Sequence, residues 1–406
     1  MTASNEHKEK PAGKSSRRIR AVAVITMAVA LLLSVSFMQK FLCIPYNDDN
    51  IRIANIHKEP ENSLDVLLIG SSATYSDFSS AYAYGKYGFT SFPYAIGGAT
   101  CTMWKPALQD TLRYQKPKLV VVDVFGGGYE NEEIRERNNQ LSIALNYMPL
   151  SADKVRLAKE LSGLVDKTSV SSFLLPIIKY HNNIPLSLKD LPERLKLETA
   201  GPSPLKGTNS LTRTRKLAYV DESSMTSESE PLDSDTEAII RDFIDYAGEQ
   251  DVPLLFVKYP SVLTDNDPDE LKVARKANRI LEIAEASGCG TLDLHQKFHE
   301  LGLKERKDFY NHGHTNTRGQ KKVTDYLGDY IQNELGIGPS ELSDSQRASW
   351  NDSAAYYDAY YALSEELMKQ GKRVSFGDEP ALVRDIGRIV NGADVSEVAD
   401  EYESDS

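Results

Sequence analysis

The chain has 406 residues and a formal net charge of −12. It is therefore long enough to bury a sizeable core, and its acidity argues against nucleic acid as a partner. Three cysteines do not make a disulfide framework, because Cys43 lies at the end of an apolar N-terminal run and Cys101 and Cys289 lie in core-like contexts. These features favour a folded domain whose stability rests on packing.

The N-terminus carries an uncharged apolar run from Ala21 to Met38, just long enough to cross a hydrocarbon core of roughly 30 Å. Only Lys40 follows it closely, whereas six basic residues precede it: Lys8, Lys10, Lys14, Arg17, Arg18 and Arg20. The positive-inside rule then predicts a cytoplasmic tail (1–20), a transmembrane signal anchor (21–42) and an extracytoplasmic remainder, in a single-pass protein of the cell membrane. The alternative is a cleaved signal peptide, which the length of the run and the lack of a small-x-small cleavage site disfavour.

Strand and helix patterns alternate beyond a polar linker at 43–63. Apolar runs predict strands at Val66–Ile69, Thr90–Ala95, Leu119–Val124, Leu254–Lys258 and Gly290–Leu294. Helical spacing separates them at Ser79–Tyr87, Cys101–Tyr114, Thr236–Gln250 and Glu270–Ser287, and Arg318–Leu335 closes the domain. Such βα alternation predicts an α/β fold, a three-layer α/β/α sandwich with a mostly parallel sheet over residues 64–335.

Two regions depart from this alternation. Residues 130–231 have helical segments, Asp153–Val165 the clearest, but no strong strand, so they are predicted to be an insertion that includes a flexible Ser/Pro-rich loop at Ala200–Pro231. Residues 336–406 are predicted to hold one docked helix, marked by Trp350 and nearby tyrosines, and then a disordered acidic tail from Ala399.

The first candidate for chemistry is the turn Gly70-Ser71-Ser72, which ends the first predicted strand. Glycine permits a sharp bend, and the backbone N–H groups at the start of the next helix can stabilise an oxyanion. The alternative is structural, because serine is also a favoured helix N-cap.

Glycine loops follow the next two strands. Gly97 and Gly98 are candidate oxyanion donors, although tandem glycines also form simple turns. Gly126-Gly127-Gly128 lacks the spacing of a dinucleotide fingerprint, so no cofactor is expected. Asn131 just beyond this triplet is a weaker candidate side-chain donor.

The second candidate for chemistry is the segment Asp308–Gly319, which contains His312 and His314. As metal ligands they lack a cysteine or carboxylate pair at ligand spacing, so no metal is expected. A histidine general base in the loop before the last helix is the favoured interpretation.

With these two segments the chain resembles the SGNH/GDSL hydrolase superfamily, and most of all its membrane-anchored bacterial branch of lipoteichoic-acid D-alanylation proteins and polysaccharide O-acetyltransferases. The resemblance covers roughly 65–335 and rests on Gly70-Ser71-Ser72 and Asn311-His312-Gly313-His314. It implies that Ser72 is the nucleophile, with Ser71 in place of the usual aspartate, and that His314 is the base.

The departures from the family pattern affect the support of His314. Asn311 stands where the family has an aspartate, and an amide does not stabilise an imidazolium as a carboxylate does. Asp308, three residues earlier, is the candidate substitute if the loop folds back. No Gly-x-Asn-Asp segment is present for the oxyanion hole, which leaves Gly97, Gly98 and Asn131 as candidates.

The resemblance implies an esterase or acyltransferase that removes or transfers O-acetyl or similar groups on cell-envelope glycopolymers, such as polysaccharide or teichoic-acid-like polymers, through a Ser72 acyl-enzyme. The alternative, favoured by Asn311, is a catalytically impaired scaffold or binding subunit of an envelope-assembly complex, with other assembly proteins as partners.

Overall fold

The computed structural model describes residues 14–166, 168–209, 212–372 and 379–402. The chain divides into two compact units. One comprises residues 1–46 and 175–199, and the other comprises residues 47–174 and 200–406.

The helices, in chain order, are α1 (Lys14–Met38), α2 (Asp48–Ile56), α3 (Ser72–Asp77), α4 (Ser80–Tyr87), α5 (Trp104–Thr111), α6 (Asn131–Glu136), α7 (Asn138–Tyr147), α8 (Ala152–Leu164), α9 (Val170–Leu174), α10 (Pro176–Tyr180), α11 (Ile184–Thr199), α12 (Ser234–Glu249), α13 (Pro268–Ala286), α14 (Thr317–Asp329), α15 (Asp344–Gln370), α16 (Glu379–Val390) and α17 (Val395–Asp400).

The larger unit is built on a five-stranded sheet whose strands are all parallel. Its strands are β1 (Val66–Gly70), β2 (Ser91–Ala95), β3 (Leu119–Asp123), β4 (Leu254–Lys258) and β5 (Gly290–Asp293), in the order β2-β1-β3-β4-β5. The strand order reverses direction between β1 and β3. In open α/β sheets that point, at the carboxyl ends of the strands, is where ligands bind.

Both faces of the sheet are buried, which explains the continuous apolar runs of its strands. Leu67 and Ile69 of β1 join the core on one face, with Trp104, Phe243 and Ile280 from α5, α12 and α13. On the opposite face Val66 and Leu68 pack in a second core with Val323 and Leu327 of α14. The predicted three-layer α/β architecture is confirmed.

The predicted linker, insertion loop and tail carry more structure than the sequence suggests. Residues 48–56 form α2, capped by Asn47, whose Ile53 and Ile56 enter the first core. The Ser/Pro-rich segment is fixed at Lys206, a buried side chain whose ammonium lies 3.0 Å from Glu59.

The described part of the C-terminal region, 336–372 and 379–402, has three helices where one was expected. α16 and α17 pack with α15 in a third core that contains Tyr360, Ile386 and Val398. The predicted disordered tail begins at Ala399, but that residue is buried and α17 continues to Asp400. Residues 403–406 of the tail lie outside the described residues.

The smaller unit contains α1, α10 and α11. Of the described residues, Arg18–Cys43 form one helix that is long and apolar enough to cross a membrane, with none of its most apolar stretch buried. Its last turn, 39–43, is a π-helix, and α10 and α11 pack against this turn.

Candidate active site

Ser71 and Ser72, in the turn at the end of β1, have different structural roles. Gly70 lies so close to β3 that a Cβ there would approach Asp123 Cβ to 2.4 Å, so only glycine fits. Ser71 is the N-cap of α3, and its hydroxyl accepts a hydrogen bond from the Ala73 N–H. Ser72 is therefore the first helical residue, and its side chain is partly exposed rather than used as the cap.

Ser72 and His314 meet although 242 positions separate them in the chain. The Ser72 hydroxyl lies 2.6 Å from His314 Nε2. His314 begins β7 (His314–Thr315), which pairs antiparallel with β6 (Phe309–Asn311) in a short hairpin before α14. This hairpin places the histidine at the carboxyl edge of the parallel sheet, above the point where the strand order reverses.

Asn311 fixes the tautomer of His314. Its Oδ1 atom accepts a hydrogen bond from the Gly313 N–H at 3.0 Å and lies 2.7 Å from His314 Nδ1. A backbone N–H only donates, so this Asn311 atom is the carbonyl oxygen and Nδ1 must carry a proton. The Nε2 lone pair then faces Ser72, as a general base requires.

The environment of His314 favours its neutral form. Its ring is mostly buried, and this burial lowers its pKa below the usual histidine value. A neutral imidazole with its lone pair on the hydroxyl is competent to accept the serine proton at neutral pH.

Asp308 is engaged elsewhere. Its carboxylate accepts hydrogen bonds from Lys322 Nζ at 2.7 Å and from the Lys304 N–H at 2.8 Å. The loop does not fold back to bring Asp308 onto His314, since the tight turn from β6 to β7 puts Asn311 there instead. Asn311 is the residue on His314 Nδ1.

The predicted oxyanion donors have hydrogen-bond partners other than the Ser72 hydroxyl. The Gly97 N–H donates to both carboxylate oxygens of Asp49, at 3.2 Å each. Gly98 has φ +65°, and its carbonyl accepts a hydrogen bond from Arg137 Nη1. Asn131 begins α6, where its amide group donates to Asp235.

Tyr75 is the polar side chain that lies between Gly97 and Ser72. A Cβ on Gly97 would be 3.4 Å from Tyr75 Oη, and Tyr75 follows Ser72 by three positions in α3, so the two side chains share one face of that helix. The Arg52 guanidinium stacks on the Tyr75 ring at 3.6 Å. Burial is the main cause that raises the pKa of Tyr75, to about 12, so the phenol keeps its proton and can donate it in a hydrogen bond.

Two buried aspartates hold the two halves of the site. Asp123, at the end of β3, accepts hydrogen bonds from the Ser71 hydroxyl at 2.6 Å and the Ser71 N–H at 3.0 Å. Asp77, at the end of α3, accepts from the N–H and hydroxyl of Thr315, next to His314, at 2.9 and 2.8 Å. Burial raises the pKa of both carboxyls, that of Asp77 to about 8.

Sequence reasoning missed both aspartates and Tyr75. A signal for Asp123 was present, because it is the polar residue that ends an apolar strand at the ligand-binding edge of a parallel sheet. Asp77 and Tyr75 carried no comparable signal, since their partners are close in space but distant in the chain.

A cavity of about 440 Å³ opens beside the Ser72–His314 pair. This volume lies in the usual range for small-molecule sites. Its wall is largely apolar and aromatic, and Asp267 and Glu270 add carboxylates. The main apolar contributors are Phe125, Tyr129, Tyr259, Val262 and Leu263. The rings of Phe125 and Tyr129 pack edge to face, 5.6 Å apart.

Comparison with known proteins gives structural likeness only. No protein-family model and no curated protein matches the chain. The structure of an acetyl xylan esterase from Geobacillus stearothermophilus is similar to this one. The match covers 70% of this chain and 99% of the esterase chain, with 12% sequence identity and a TM-score of 0.34. A family two carbohydrate esterase from Clostridium thermocellum, in complex with cellohexaose, is similar over 68% of this chain and 66% of its own, at 10% identity and a TM-score of 0.31. Because these scores are low, we infer the fold from the strand order of this chain and the chemistry from its own residues.

Proposed function

We propose that the protein is a membrane-anchored, extracytoplasmic serine esterase or acyltransferase that acts on acyl groups of cell-envelope glycopolymers. The observation that carries the proposal is the 2.6 Å contact between the Ser72 hydroxyl and His314 Nε2, together with the tautomer that Asn311 imposes. A nucleophile held on a base whose far nitrogen is itself held by a third group is the arrangement that nucleophilic catalysis requires.

The reaction begins when His314 Nε2 takes the proton of Ser72 and the serine oxygen attacks the ester carbonyl. His314 then donates this proton to the departing sugar oxygen, which leaves an acyl group on Ser72. Water, or a second sugar hydroxyl, gives its proton to His314 and attacks the acyl carbonyl. The bond between the acyl group and the Ser72 oxygen then breaks, and His314 returns the proton to Ser72. The first acceptor makes the protein an esterase and the second makes it an acyltransferase.

The negative oxygen of the tetrahedral intermediate needs hydrogen-bond donors. Ser72 supplies one through its own N–H at the start of α3. Because Asp49 binds the Gly97 N–H, we assign the second donor to Tyr75 Oη, which lies on the Gly97 side of the serine. The cavity that Ser72 lines then receives the substrate.

The envelope substrate follows from the anchor. If α1 spans the membrane, the active site is confined near the surface, which favours a polymer held in the envelope over a freely diffusing ester. The volume of the cavity suits a sugar-sized group as well as the acyl chain.

A second candidate function is a non-catalytic scaffold or binding subunit of an envelope-assembly complex. Two features favour it. Asn311 replaces the acid that stabilises the imidazolium, and the Asp49 carboxylate occupies the Gly97 N–H. Under this alternative the cavity binds a glycopolymer without acyl transfer.

The two functions are separated by active-site labelling of the full chain in detergent. A fluorophosphonate probe is expected to label the wild type and Ser345→Ala, an exposed serine on α15, but not Ser72→Ala. p-Nitrophenyl acetate turnover is expected to follow the same pattern. A wild type that neither reacts with the probe nor turns over the ester contradicts the enzyme and favours the binding subunit.

A further inference from the structure

The smaller unit carries an apolar surface that no described residue covers. Its members are Leu175, which caps α10, Ile178 of α10, and Leu188 and Leu195 of α11. Their exposed fractions are 38%, 43%, 55% and 43%, in that order. Isolated exposed leucines are common on proteins, but these four apolar side chains lie within 21 residues of the chain, and they are called the patch below.

The apolar residues of α11 lie on one face of the helix. Leu188, the partly exposed Leu191 and Leu195 are spaced i, i+3, i+7, so they share one face of the helix. Lys189 and Lys196 lie on one flank of this stripe and are exposed. An apolar stripe flanked by lysines is typical of helices that lie in the interface of a bilayer.

The contacts of α11 attach it to the C-terminal end of α1. Arg194, on the face next to the stripe, is buried and donates through Nη1 to the Ile44 carbonyl at 2.6 Å, and its guanidinium lies 5.3 Å from the Tyr46 ring. Lys40 forms an ion pair with Glu198 at the end of α11. α11 is therefore attached to the segment at which the apolar helix α1 ends.

We propose that α10 and α11 form an interfacial element that inserts the side chains of Leu175, Ile178, Leu188 and Leu195 into the outer leaflet beside the end of α1. The inference rests on the membrane anchoring in the proposed function. Continuity with α1 selects lipid as the occupant, because a helix fixed to the end of a membrane-spanning segment lies at the depth of the headgroups. Removing leucine side chains from water is favourable, so the patch holds this unit against the surface.

The test measures depth by tryptophan quenching in the full chain, reconstituted in phosphatidylcholine vesicles. The native Trp104 and Trp350 are buried, so they supply a constant background. Single tryptophans replace Leu188 or Leu195 in the patch, Leu31 in the middle of α1, and the exposed Tyr219 of the larger unit as a control. The vesicles carry bromines either near the headgroup or near the methyl end of the acyl chains.

Leu188→Trp and Leu195→Trp are expected to lose roughly half or more of their added emission to bromines near the headgroup and less to the deep bromines, since interfacial helices lie about 5–10 Å into the boundary. Leu31→Trp is expected to respond in the opposite order, and Tyr219→Trp to neither lipid. Quenching at positions 188 and 195 no greater than at 219, with Leu31→Trp still quenched by the deep bromines, overturns the interfacial element but leaves the anchor intact. Loss of quenching at position 31 as well overturns both.

Discussion

Asn311→Asp is the substitution that most directly tests the chemistry of the site. Asn311 Oδ1 lies 2.7 Å from His314 Nδ1, so a carboxylate in the same place would stabilise the imidazolium that forms when Ser72 loses its proton. Two unit charges about 4 Å apart interact by about 4 kcal/mol at an effective dielectric of 20. The partial exposure of Asn311 lowers this figure, because solvent screens the charge.

Since each 1.36 kcal/mol is worth about tenfold in rate, Asn311→Asp is expected to raise kcat about ten- to a few-hundredfold. In serine proteases the reverse change costs about four orders of magnitude, mainly through the wrong histidine tautomer. Here the Gly313 N–H already orients the Asn311 oxygen toward His314, so only the charge is missing and the gain is smaller.

The pH profile provides an independent measurement. Burial lowers the pKa of His314, so the wild type is expected to lose activity only as the pH falls below the usual histidine range. A carboxylate favours the charged imidazolium and raises that pKa, so the acid limb of kcat/KM in Asn311→Asp moves to higher pH. p-Nitrophenyl acetate turnover from pH 4 to 9 measures both effects, with Ser72→Ala/Asn311→Asp as the control that must abolish the gain. If kcat does not rise and the limb does not move, the charge at this position does not limit the reaction.

Three further predictions concern the groups around the dyad. Tyr75→Phe is expected to lower kcat by about 10²–10³ with little change in KM, as for other oxyanion donors. The control Tyr84→Phe, which removes a hydroxyl that contacts Asn351, is expected to keep wild-type kinetics. A loss in kcat of less than threefold in Tyr75→Phe would show that Tyr75 is not an oxyanion donor. Ser71→Ala is expected to lower the free energy of unfolding by about 1–3 kcal/mol in urea titrations, because buried Asp123 loses its 2.6 Å donor, and an unchanged midpoint contradicts this. The pKa of Asp77 is raised in the folded protein to about 8, so its stabilising contribution is full below about pH 4 and is lost as the pH rises through about 8. Asp77→Asn is expected to remove this pH dependence of the free energy of unfolding. Parallel stability–pH curves for the wild type and the variant would contradict the raised pKa.

The sheet was predictable from sequence because its central strands are short apolar runs ended by a turn signal. Val66–Gly70 and Leu119–Asp123 are buried on both faces, so local composition alone identifies them. α2 was not predicted, because its apolar positions are few and its first turn is acidic, and it becomes stable only when Ile53 and Ile56 enter the core. Helices of this length depend on tertiary packing rather than on their own propensity.

The same division explains which parts of the site were predicted. Ser72 and His314 each belong to a short sequence motif, so a family resemblance predicts that they act together before any fold is known. The residues that orient them are held by burial at positions with no local pattern: Asp123 acts on Ser71 from the end of β3, and Asp77 acts on the histidine hairpin through Thr315. A carboxylate without a charged partner is costly to bury, and both carboxyls have a raised pKa as a result. The fold therefore bears this cost at the two positions that set the geometry between nucleophile and base. If the protein were a binding subunit that no longer needed this geometry, replacing Asp77 or Asp123 by asparagine would leave its ligand affinity unchanged; in an enzyme, the same changes lower kcat.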